Sequence, residues 1–249
     1  MPEFINETFM LFMLIGFAAQ LVDGALGMAY GLTASSFLMA AGLPPATASA
    51  TVHFAETFTT GASAISHHRF GNIHSPLFKR LVIPGMIGAA LGAYVLTSID
   101  GDVIKPFVAA YLALMGVYVL VKSLREILPV AVQKKVGVLG FFGGLIDAIG
   151  GGGWGPIVTS TLLARGNHTR TTIGTVNAVE FFVALTSSAV FIATIGLQHW
   201  PIVLALALGG IAAAPIAGYI TKHVPHRPMM FAVGLLIIAV SGTTLWRSL

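Results

Sequence analysis

The sequence predicts an all-α polytopic membrane protein made of two inverted repeats, each a re-entrant broken-helix hairpin followed by three transmembrane helices. Three observations carry this. Of 249 residues, 56% are hydrophobic and only 9% charged, against roughly 25% charged in a soluble domain, and the mean hydropathy is +0.88. An ungapped shift of 124 positions lays Asp23 on Asp147 and Glu56 on Glu180, so the second half repeats the first. Lysine and arginine collect in four links between apolar segments, and the membrane side they mark turns the second repeat over relative to the first.

The first repeat covers 1–124 and the second 125–249. The chain opens on the acidic stretch Met1-Pro2-Glu3-Phe4-Ile5-Asn6-Glu7, with no basic region ahead of the apolar run, so that run reads as mature structure and not a signal peptide. Apolar pieces at 8–22 and 28–41 are each short of the ~20 residues a crossing needs, and together they form a hairpin over 8–42. Helices at 46–66, 77–98 and 103–121 follow. In the second repeat the short pieces 136–146 and 157–164 make a hairpin over 136–165, before helices at 171–195, 201–221 and 228–246. Between its arms lies Asp147-Ala148-Ile149-Gly150-Gly151-Gly152-Gly153-Trp154-Gly155-Pro156. Glycine lets the backbone leave the helix, and Pro156 suits the first turn of a new one. The first hairpin has the same plan with fewer glycines, in Asp23-Gly24-Ala25-Leu26-Gly27-Met28-Ala29-Tyr30-Gly31. The shift also pairs Gly16 with Gly140, Gly27 with Gly151, Gly31 with Gly155, Ser36 with Ser160, and Phe58 with Phe182.

Charge sets the orientation. Arg69, Lys79 and Arg80, then Lys122, Arg125, Lys134 and Lys135, then Arg165 and Arg170, then Lys222 and Arg227 mark cytoplasmic links. The glycine-rich hairpin then enters from the cytoplasm, the first hairpin from outside, and both termini lie outside. The net charge of +4 reflects this topology and not a nucleic-acid partner. With no cysteine, disulfides, thiolate metal sites and a cysteine nucleophile are excluded. No phosphate-binding Gly-x-x-x-x-Gly-Lys-Ser/Thr motif is present, which argues against an ATP-driven pump in this chain alone. The sequence predicts no cofactor and leaves the oligomeric state open.

Broken helices in inverted repeats are the plan of many secondary transporters, whose substrate sits near the midplane between the breaks. Free N–H groups of the restarted helices can hold an anion there, which nominates Gly27, Met28, Ala29, Gly150, Gly151, Gly152 and Gly153. Tyr30 and Trp154 occupy equivalent positions and either wall the site or pack structurally. An intramembrane acid costs about 2.5 to 3.5 kcal/mol, so Asp23 and Asp147 are either titrating groups or caps of the restarted helices. On 46–66, Ser49, His53, Glu56, Thr60 and Ser63 form one polar stripe, answered in the second repeat by Asn177, Glu180 and Ser187. His53, Glu56 and Glu180 are candidates for proton coupling or gating; for the Ser and Thr residues, interhelical hydrogen bonding is the better reading. His53-x-x-Glu56 also has the spacing of a bundle metal site, but Asn177 stands where the second histidine is needed. Two other functional classes fit these residues: a passive anion channel, and a membrane-embedded enzyme using His53 and Glu56 as metal ligands or acid–base groups.

The stretch Gly144-Leu145-Ile146-Asp147-Ala148-Ile149-Gly150-Gly151-Gly152-Gly153-Trp154-Gly155-Pro156, its weaker first copy and Asn177-x-x-Glu180 resemble the sulfite exporter TauE/SafE family, also called the 4-toluene sulfonate uptake permease family. The resemblance runs over nearly the whole chain. It implies a transporter of sulfite, sulfonates or related sulfur-containing anions in the bacterial cytoplasmic membrane. By position the motif residues are Asp147, Gly150, Gly151, Gly152, Gly153, Trp154 and Gly155. In the first copy Leu26, Met28 and Ala29 stand where the second has glycine, so the two half-sites are unequal.

Overall fold

The structure is a computed structural model that describes residues 7–26, 28–124, 135–164, 169–197, 199–223 and 226–248. Every regular element among them is helical. They are α1 (Glu7–Leu26), α2 (Tyr30–Ala40), α3 (Pro45–Arg69), α4 (Ser75–Thr97), α5 (Gly101–Leu124), α6 (Val136–Gly150), a π-helical turn (Gly155–Thr159) running into α7 (Ser160–Ala164), α8 (Thr169–Ile195), α9 (Trp200–His223) and α10 (His226–Ser248). Local chemistry marks the ends. After α2, Gly42 takes φ +97° while its N–H and that of Leu43 close on the carbonyls of Met39 and Leu38, the left-handed exit that glycine permits. At the start of α4, His74 Nδ1 accepts from the Leu77 N–H at 3.3 Å.

Packing partners are exchanged between the halves. Helix α1 packs on α9 and α6 on α4, while α3 packs on α8 and α5 on α10. Moving each element by 124 positions turns α1 into α6 and α4 into α9, so the list of partnerships maps onto itself. Both exchanged contacts are made backbone to backbone. A Cβ on Gly144 would collide with the Gly85 carbonyl, and one on Gly88 with the Phe141 carbonyl. On the other side, Gly16 lies against the Leu206 carbonyl and Gly209 against that of Met13. Small residues that let helix backbones approach are the usual means of association where lipid removes the hydrophobic drive. Ile83, Ile87, Leu91, Phe107 and Leu114 on α4 and α5 are exposed, as a lipid-facing surface requires.

Among the described residues, four helical stretches are long and apolar enough to cross a membrane: Ser75–Thr97, Gly101–Leu124, Thr171–Ile195 and Met230–Ser248. The sequence predicted six; of the other two, 201–221 is represented by the shorter apolar stretch Trp200–Ala214 and 46–66 by α3. Helix α3 has 25 residues, which is sufficient length, but its polar stripe lowers its apolar character; Ser49, His53, Glu56 and Thr60 are all buried. Its polarity faces protein, which explains how so polar a helix can occupy the interior. The first arm also differs from expectation. Helix α1 has 20 residues, or about 30 Å at ~1.5 Å per residue, and not the short piece 8–22, because the helix runs through Asp23 and Gly24 before breaking. The basic residues Arg125, Lys134 and Arg165 lie outside the described residues, as does Gly27. The backbone N–H of His74, whose side chain is exposed, donates to Thr175 Oγ1 on α8 at 2.8 Å, and Asn72 Nδ2 is 3.2 Å from His67 Nδ1.

Candidate functional site

The second break is built by one aspartate. Helix α6 continues one turn past Asp147, whose carbonyl accepts the N–H of Gly151 and, at 3.0 Å, that of Gly152. Gly151 then takes φ +66° and Gly152 φ +154°, conformations that need glycine. The chain turns back so that Asp147 Oδ1 accepts the Trp154 N–H at 2.8 Å, seven residues on. A carboxylate at a helix start satisfies an N–H that the helix cannot. The first break repeats the device, since the Asp23 carboxylate takes a hydrogen bond from the backbone of Tyr30, again seven residues on (30 − 23). Here the turn falls on Ala29, which holds φ +93° without being glycine. Of the two readings offered for the aspartates, capping is therefore realised at both breaks. Both acids sit in the last turn of the incoming helix, not in the broken segment itself.

The two breaks touch. A Cβ on Gly31 would stand 2.7 Å from Gly152 Cα and 3.0 Å from both the Gly151 carbonyl and Glu56 Oε1. A Cβ on Gly151 would strike Ser35 Oγ and lie 3.3 Å from Ser49 Cα. Carbonyls freed by the second break are taken up by hydroxyls from the first half: Ser35 donates to Gly151 O, Ser49 to Ala148 O at 2.6 Å, and Tyr111 to Gly152 O at 2.9 Å. Unpaired carbonyls at membrane depth are expensive, and these three contacts remove that cost. Tyr111 also stands where a Cβ on Gly150 or Gly153 would be, so the glycines there are fixed by the ring as well as by backbone conformation.

Against this junction lies a proton-holding pair. His53 Nε2 is 3.1 Å from Asp147 Oδ2, and Nδ1 is 2.8 Å from the Ser49 carbonyl. A carbonyl only accepts, so Nδ1 carries a hydrogen; the Nε2···Oδ2 contact then requires one more proton, on the imidazole or on the carboxyl group. Asp147 thus spends one oxygen on the cap and the other on the histidine. Glu56 stands within electrostatic reach of His53, Asp147 and Asp23, and Glu180 within reach of Asp23, Glu56 and Asp147. Four acids and a histidine from both repeats share one buried region. Among the described residues no group of three His, Cys, Asp or Glu side chains is placed to hold a metal ion. Asn177 is buried on the same helix as Glu180.

Three other predicted residues are buried in packing contacts. Trp154 is completely buried, its Nε1 donates to the Val176 carbonyl at 3.2 Å, and its ring packs on Gly85. Tyr30 donates to the Leu206 carbonyl at 3.3 Å, with its ring near Gly210. Each wedges its hairpin against a helix of the other half, which favours the packing reading for both. Met28 is buried at the first break, 3.9 Å from Ser160 Oγ. The sequence reading missed Ser35 and Tyr111, whose only signal is a hydroxyl within an apolar helix.

A protein of Bacillus subtilis (strain 168) named "Probable membrane transporter protein YtnM" is 44% identical over 245 residues, covering 94% of this chain and 82% of that protein. No solved structure matches. The model of the family described as Sulfite exporter TauE/SafE matches residues 12–244, and the chain belongs to that family.

Proposed function

We propose that the protein is a secondary transporter that carries small sulfur-containing anions, sulfite, sulfonates or related species, across the cytoplasmic membrane by proton-coupled alternating access. Membership of the TauE/SafE family and the relative named as a probable membrane transporter support a membrane transporter. The observation that carries the finer reading is the junction itself: two helix breaks in contact, with the His53–Asp147 pair closing on the cap of one of them. In this reading the repeats are inverted, each with a re-entrant hairpin, and both termini lie outside. The exchange of packing partners between halves supports that symmetry. Amides beside the caps receive the anion, and Glu56, Glu180 and His53 gain or lose protons as the site changes the side it faces.

Proteoliposome flux of sulfite tests this. Wild-type flux should respond to an imposed pH gradient, whereas Glu56→Gln and Glu180→Gln should each lower flux at least tenfold or abolish the response. Unchanged flux and pH response in both variants would remove their assigned role, and wild-type flux indifferent to the gradient would identify a passive channel.

A further inference from the structure

We propose that Lys122 and Ser160 form an oxyanion-binding site at the mouth of the transport path, distinct from the acid-lined junction. The proposal rests on the anion-transport reading, to which it adds a cation. Lys122 lies in the last turn of α5, a helix apolar enough to span a membrane, and its side chain is half-buried. Its ammonium donates to Ser160 Oγ. Among the described residues it has no carboxylate partner; the ion pair found there is His53–Asp147. A lysine at the end of an apolar helix that turns toward protein, with no carboxylate beside it among the described residues, gives up hydration without a counter-charge there, and such residues mark ion pathways.

Ser160 makes the site specific for an acceptor. It is buried at the start of α7, just after the π-helical turn of the second hairpin. Its oxygen is already engaged by Lys122, so its own hydrogen must find an acceptor elsewhere. The nearest is Met28 Sδ, at 3.9 Å, and a thioether is a weak acceptor. An oxyanion placed between them would take the Ser160 O–H and the two ammonium hydrogens that Ser160 leaves free. Both hairpins contribute, since Met28 belongs to the first break and Ser160 to the second. The corresponding serine of the first hairpin, Ser36, meets a neutral hydroxyl, Ser241 Oγ, at 2.9 Å, and no cation among the described residues. The charge is therefore confined to one mouth, which the placement of basic residues makes the cytoplasmic one. The fitting ligand is a small sulfur oxyanion with several acceptor oxygens, such as sulfite or the head of a sulfonate.

The full-length protein in proteoliposomes, with sodium sulfite as probe, tests the site through the half-saturation concentration at the cytoplasmic face. Lys122→Gln should raise it about tenfold with the maximal rate within twofold of wild type, Lys122→Arg should restore it to within threefold, and Ser160→Ala should raise it severalfold. An unchanged half-saturation in Lys122→Gln, or a lower maximal rate with half-saturation unchanged, would overturn the site while leaving the transport reading standing. If the wild type moves no sulfite, that reading fails, and thermal stabilisation by sodium sulfite relative to sodium chloride of equal ionic strength decides the site. Stabilisation lost in Lys122→Gln supports it; stabilisation absent from the wild type, or equal in the variant, overturns it.

Discussion

Asp147 divides its two carboxylate oxygens between structure and chemistry, one on the Trp154 N–H and one on His53. Replacements can separate these tasks. Asparagine keeps an acceptor for Trp154 but not a group that shares a proton with imidazole, whereas alanine removes both. Losing such a cap costs about 1 kcal/mol, and stranding the buried His53 nitrogen adds roughly 1 to 3 kcal/mol. Asp147→Ala should therefore melt at a clearly lower temperature than Asp147→Asn in detergent, while both lose pH-gradient-driven flux. An Asp147→Asn protein with wild-type flux would show the pair to be structural only. The sequence revealed the aspartates and the breaks because glycine runs in apolar surroundings have few other uses. It did not reveal the His53–Asp147 contact, because the partners lie 94 residues apart and Asn177 breaks the repeat where a second histidine would have advertised the pair.

At the level of helices, the exchanged pairs α4–α6 and α1–α9 depend on glycine at the crossing points. Adding a methyl group at Gly144 or Gly209 would place it on a carbonyl of the facing helix, and backbone cannot yield as a flexible side chain can. Overpacking of this kind typically costs about 1 to 3 kcal/mol. Gly144→Ala and Gly209→Ala should each lower the melting temperature, because each lies at the crossing of one of the two corresponding helix pairs; an unchanged melting temperature in either variant would show that its crossing does not depend on glycine. The spacing Gly85-x-x-Gly88-x-x-x-Gly92 on α4 went unread in the sequence, and nothing in it names α6 as the partner. Helix α3 was legible as a polar stripe, yet its position at the centre became apparent only from what surrounds it. Ser49, assigned to interhelical bonding, does bond across helices, to the carbonyl of Ala148.

For the molecule as a whole, the family was readable from one motif, and membership of the membrane class from composition. Orientation remains an inference from charge. The absence of cysteine makes it directly testable: a single cysteine in place of Gly71, between α3 and α4, should be labelled by an impermeant maleimide only from the cytoplasm, and one in place of Ser98, between α4 and α5, only from outside. Labelling of both from the same face would reject the proposed topology.

The three hydroxyl bridges from Ser35, Ser49 and Tyr111 to the second break carry a mechanical implication. They stitch that loop to the opposite half. Under the proposed alternating access, sliding the halves apart at this point would break all three bonds, whereas a swing of the outer helices about the knot would keep them.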